Sequence, residues 1–119
     1  MNQYMKNYVT DLELLGGIEC DGDELLFEDG FFPPLDLDAN DNGVLYVDDV
    51  PYGNELSPEE VWANIMAHGL TKSGVPACVE VINGELELKV TSGGVRHKIT
   101  TDWESVKSAY LTFSPGVSI

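Results

Sequence analysis

Positive charge is scarce in this 119-residue sequence, with six Lys and Arg set against 21 Asp and Glu for a formal net charge of −15. Direct binding to nucleic acid is therefore not expected, because its phosphates repel such a chain. Adsorption to an anionic membrane surface is disfavoured for the same reason. Cysteine is equally sparse: Cys20 and Cys78 lie far apart and belong to no CxxC or Cys/His cluster. With 43% apolar residues to build a core, the chain needs no disulfide staple, and two free, mostly buried thiols are expected. No stretch reaches the roughly 18 apolar residues of a membrane span, and Met1–Tyr8 holds no apolar signal region, so a cytoplasmic location is expected.

Catalytic signatures are also missing. The sequence has no GxGxxG, no P-loop and no GxSxG. His68 and His97 are its only histidines, too few for a recognisable four-ligand zinc site, and neither has a sequence-near nucleophile or acid. Cys20 stands among Glu19, Asp21, Asp23 and Glu24, whose charges oppose thiolate formation. No enzyme is expected, and no cofactor.

What is present reads as one α+β domain over residues 1–119. Tyr4, Met5, Tyr8, Val9, Leu12 and Leu15 give the stripe of an amphipathic N-terminal helix that Gly16-Gly17 stops. Short β-hairpins follow: Glu24–Glu28, a turn at Asp29-Gly30, then Leu35–Asp38 and Val44–Val50 around a five-residue loop that pairs Leu37 with Leu45. Ser57-Pro58-Glu59-Glu60 supplies an N-cap, a proline at the first helical position and a capping-box Glu for a central helix, with Gly69 expected to end it. Asn83-Gly84 and Gly93-Gly94 mark the turns of a three-stranded antiparallel meander, with Val81 opposite Leu86 and His97 opposite Val90. Its apolar face needs a cover, and the central helix is the right size to pack on it. Thr101-Asp102-Trp103-Glu104 repeats the capping-box spacing ahead of a short C-terminal helix, ending before Ser114-Pro115-Gly116.

The charge is distributed unevenly. Residues 1–60 hold 16 acidic side chains and Lys6 as their only Lys or Arg, whereas residues 61–119 hold five acidic and five basic ones. The acidic half is the place to seek function and the neutral half reads as scaffold. Within the acidic half, Asp38-Ala39-Asn40-Asp41-Asn42-Gly43-Val44 through Asp49 resembles the calcium loop of EF-hand proteins. That resemblance implies a hard-cation site with Asp38, Asn40, Asn42, Val44 and Asp49 as candidate ligands. Pro33-Pro34 opposes the entering helix of that family, and Val44–Val50 has the pattern of a strand.

These observations lead to a first expectation of a non-catalytic acidic protein that blocks a basic, nucleic-acid-binding protein surface, in outline similar to small acidic DNA-mimic proteins. A phage or mobile-element inhibitor of a defence enzyme, or an immunity protein for a basic nuclease, is the natural setting. Candidate contact residues are Asp21, Asp23, Glu24, Glu28, Asp29, Asp36, Asp38, Asp41, Asp48 and Asp49, with Phe31 and Phe32 as exposed apolar anchors. The alternatives are a small acidic chaperone or assembly factor, acting as a dimer, and a calcium-binding module at Asp38–Asp49.

Overall fold

In the computed structural model, residues 3–15, 18–54 and 56–113 are described, with Leu15 and Asp29 described by their backbone alone. The expected stops at Gly16-Gly17 and Ser114-Pro115-Gly116 lie outside the described residues. The chain is α+β and divides into two compact units, residues 1–62 and 63–119. The division falls within two residues of the boundary between the acidic and neutral halves.

In the first unit, helix α1 (Gln3–Leu15) buries Met5, Tyr8 and Leu12. A five-stranded antiparallel sheet follows in chain order: β1 (Ile18–Asp21), β2 (Glu24–Phe27), β3 (Leu35–Ala39), β4 (Val44–Val47) and β5 (Val50–Asn54). Strand alternation places Ile18, Leu25, Phe27, Leu35, Leu37 and Leu45 on one buried face. The Tyr8 hydroxyl donates to the Gly43 carbonyl and accepts from the Leu56 N–H, which ties α1 to the β3–β4 loop and to the chain after β5.

Three expectations for this unit are corrected. Leu37 pairs with Val47, not Leu45, so the loop is tighter than expected. A two-residue shift leaves every side chain on its own face, so the apolar pattern cannot tell the two registers apart. Asn40 decides it: its side-chain carbonyl accepts from the N–H groups of Asn42 and Val44, and Gly43 takes the left-handed conformation that closes the turn. Val44–Val50 is not one strand, because Asp48 and Asp49 both have positive φ and form a two-residue turn between β4 and β5. Finally, Phe32 is not exposed. It is 1% accessible, meets Phe27 and Phe31 edge to face at 5.1 and 5.0 Å, and belongs to the core.

Helix α2 (Pro58–Lys72) has the expected reciprocal capping box: the Glu60 N–H donates to Ser57 Oγ, and the Ser57 N–H donates to Glu60 Oε1. It runs past Gly69, which is buried inside it. Gly74, at φ +99°, is the true terminator: the Val75 N–H reaches the Leu70 carbonyl and the Gly74 N–H the Thr71 carbonyl, a Schellman ending. The signal at Gly69 misled because a glycine inside a helix costs only about 1 kcal/mol, which packing readily offsets.

The second unit holds the meander β6 (Ala77–Ile82), β7 (Glu85–Ser92) and β8 (Val95–Ile99), in the register expected from its two turns. Asn83-Gly84 and Gly93-Gly94 all have positive φ, the backbone that matches the twist of flanking strands. Leu88 and Val90 are buried, as are Ile65, Met66 and Leu70 of α2, and Thr71 Oγ1 joins α2 to both backbone groups of Ala77. Val81 and Val95, expected on the covered face, are 66% and 56% exposed because they sit at the hairpin ends. Helix α3 (Trp103–Phe113) starts one residue later than expected. Asp102, not Thr101, is its cap and accepts from the Ser105 N–H and the Thr100 and Ser105 hydroxyls.

Two consequences are measurable. Phe32→Ala should destabilise the chain by about 3–5 kcal/mol in urea denaturation, the range for a buried aromatic. The hydrogen bonds from Thr100 and Ser105 hold the Asp102 carboxyl at about 2, below its usual value of 3.8. A depressed carboxyl stabilises the fold above its unfolded pKa and loses that contribution as pH falls toward 2. Thermal melts should therefore show a steeper acid loss between pH 4 and 2 in the wild type than in Asp102→Asn.

Candidate functional site

The face of the five-stranded sheet opposite the core is built by the same alternation. Glu19 and Asp21 on β1, Glu24 on β2, and Asp36 and Asp38 on β3 all project from it and are exposed. Register brings them into line: Asp21 stands opposite Glu24, and Glu24 opposite Asp36. Asp48 continues the row at its far side, because its N–H donates to the Asp36 carbonyl at 2.8 Å. Neighbouring strands are about 4.8 Å apart, so the row carries an acidic residue at roughly that interval.

Like charges directly opposite one another destabilise a sheet. The Asp36 carboxyl is raised above its usual range. Partial desolvation is the first cause, followed by the carboxylates of Asp23, Asp49, Asp48 and Asp38. The field of Asp48 extends to Tyr52, whose phenol is raised by burial and by that charge. Asp48 is also structural, since its Oδ1 accepts from the Asp36 N–H at 2.9 Å.

Of the expected contact residues, the structure thus gathers Asp21, Asp23, Glu24, Asp36, Asp38, Asp48 and Asp49. Glu28 lies in the single helical turn after β2 and Asp41 in the β3–β4 loop, both exposed but outside the row. The Asp29 side chain lies outside the described residues. Phe31 is half-buried against Phe32, so neither ring projects from the acidic face as an anchor. Glu19 is the acidic residue that the contact set omits. The alternation Ile18-Glu19-Cys20-Asp21 ahead of Gly22-Asp23 is the signal that reveals it.

The calcium-loop resemblance does not survive as geometry. Its twelve residues form strand, tight loop, strand and the two-residue turn that follows, with no flanking helices. Asn40 Oδ1 is spent on backbone N–H groups, and the Val44 carbonyl, a ligand in the loop it resembles, accepts from the Asn40 N–H. Asn42 lies exposed at the loop tip, while Asp38 Oδ1 accepts from the Ala39 N–H. Among the described residues no group of three or more His, Cys, Asp or Glu is placed to hold a metal ion.

The remaining reactive groups are occupied otherwise. Cys20 and Cys78 are free and half-buried. The Cys20 thiol is pushed up to about 11, by burial first and then by Glu13 of α1 rather than by its sequence neighbours. His97 stacks on Phe113 at 4.7 Å. The Ser105 hydroxyl lines a shallow groove of about 310 Å³ beside α3 but is bonded to Asp102, whose low pKa makes it a poor base. His68 lies within α2, whose last turn carries Lys72 instead.

No family model, curated protein or solved structure matches this chain.

A raised carboxyl means that ionisation at Asp36 opposes folding, fully above its folded pKa and not at all below the unfolded value of about 3.9. Asp36→Asn should therefore raise the urea midpoint at pH 7, and the gain should vanish at pH 3.

Proposed function

We propose that this chain is a non-catalytic binding protein whose acidic sheet face occupies the basic, nucleic-acid-binding surface of another protein. The observation that carries this reading is the cross-strand row Asp21, Glu24, Asp36 and Asp48. A sheet built only for stability gains nothing from carboxylates in direct register, and the 16 acidic residues of the first unit have only Lys6 among them as a Lys or Arg. A basic partner removes that repulsion on binding, which adds a term to affinity and speeds encounter. The roughly 4.8 Å interval is comparable to the charge density of one nucleic-acid strand, about one phosphate per 3.4 Å. Inhibition of a nuclease, as an anti-defence or immunity protein, is the role such a mimic would serve.

The assembly-factor reading needs one continuous apolar patch. Among the described residues the large exposed apolar side chains are Leu14, Val50, Val81, Ile82, Val95 and Leu111, distributed over α1, β5, β6, β8 and α3. No enzyme activity is proposed.

The test is affinity chromatography of a cell extract on the immobilised full chain at low salt. Nucleic-acid-binding proteins should be retained, released by a salt gradient and displaced by added DNA duplex. Asp36→Asn/Asp38→Asn/Asp49→Asn should retain far less, with its fold checked by thermal melting. Retention indifferent to both salt and duplex would overturn the reading.

A further inference from the structure

The outer edges of the two sheets carry opposite charge at matching positions. β1 and β5 are the edges of the five-stranded sheet, and β6 and β8 those of the three-stranded one. β5 contains Pro51 and Gly53, which blunt it as a pairing edge. β1 reads Ile18-Glu19-Cys20-Asp21 and β8 reads Val95-Arg96-His97-Lys98-Ile99. We propose that the chain self-associates by strand addition, with β8 of one molecule pairing antiparallel to β1 of a second copy.

In the register that sets Cys20 against His97, every position matches. Ile18 meets Ile99, Glu19 meets Lys98 and Asp21 meets Arg96. The faces also agree. Ile18 is buried and Cys20, His97 and Ile99 are half-buried on the inner sides, while all four charged residues are exposed on the outer sides. Cross-strand ion pairs of this kind favour pairing, and like charges oppose it. The other combinations fare worse. β1 against itself opposes Glu19 with Asp21 or with Glu19, β8 against itself opposes Arg96 with Lys98, and β1 against β6 brings Glu80 toward further acid. β6 against β8 offers one carboxylate for two cations.

Arg96 already reaches Glu80, and Lys98 reaches Glu87 at 3.2 Å, yet their side chains remain 62% and 61% exposed. The five donors of the guanidinium and three of the ammonium leave capacity for a second carboxylate. The contact joins unlike surfaces, so each molecule that uses its β8 keeps β1 open for a further copy. It shares Asp21 with the proposed partner surface, but the test of that surface alters Asp36, Asp38 and Asp49 and neither edge.

The experiment is sedimentation equilibrium of the full chain over a range of concentrations at about 0.15 M salt, where the Debye length is about 8 Å and the net charges of distant parts are screened. The average mass should rise above the monomer with concentration. Arg96→Glu/Lys98→Glu and Glu19→Lys/Asp21→Lys should each weaken association at least tenfold, and mixing the two should restore it. Circular dichroism melts report their folding. If either fails to fold, Arg96→Gln/Lys98→Gln and Glu19→Gln/Asp21→Asn, which remove charge without reversing it, are measured with the same weakening expected. A wild type that stays monomeric throughout would overturn the proposal. So would folded charge variants that associate as strongly as the wild type, or reversed variants that fail to combine when mixed.

Discussion

The acidic face depends on how β3 is held at Asp36. Up to that residue β3 pairs with β2, and from Leu37 onward it pairs with β4. At the changeover the Asp36 carbonyl accepts from the Asp48 N–H, the Asp36 N–H donates to Asp48 Oδ1, and the Leu37 N–H donates to the Asp23 carbonyl. These three bonds join the β1–β2 hairpin, β3 and the β4–β5 turn into one continuous sheet. They also bring Asp23, Asp36 and Asp48 together, so the contacts that complete the sheet concentrate its charge. Asp48 therefore has two effects of opposite sign: its oxygen satisfies a backbone donor, and its charge raises the Asp36 carboxyl.

The second unit was legible from the sequence because its turns are chemically explicit. Asn83-Gly84 and Gly93-Gly94 each supply two residues that tolerate positive φ, and the register followed. The first unit turns by subtler means. Asp48-Asp49 adopts the same positive-φ geometry without a glycine, and only the bonds to Asp36 reveal why. The loop at Asn40 is set by one side-chain carbonyl, which an apolar pattern does not encode. Phe32 misled because Pro33-Pro34 signals a surface loop, whereas the chain turns inward there and closes on Phe27. The charge asymmetry was legible as a count. That five of its carboxylates share a sheet face was not, because it required β1 and the register of β2 with β3.

The two sheets solve the same problem differently, and the contrast bears on function. Each has an apolar face, which in the meander is fully buried only at Leu88 and Val90, and a charged outer one. In the meander the outer charges neutralise one another: Glu80 pairs with Lys89 and Arg96, and Glu87 with Lys98. In the five-stranded sheet the corresponding positions of β1–β3 are acidic on every strand, and residues 1–62 supply one Lys and no Arg. Surface ion pairs contribute little, about 0–1 kcal/mol each, so replacing some of these acids with bases would be structurally inexpensive. A sequence that places mixed charge on one sheet is chemically able to do the same on the other. Concentrated negative charge weakens the compact state, and exceeds the magnitude of about 2–8 that solubility asks of a small domain. On the reading proposed above, the constraint that keeps it lies outside the folded monomer, in a positively charged partner surface whose approach would convert the repulsion within the row into attraction across an interface.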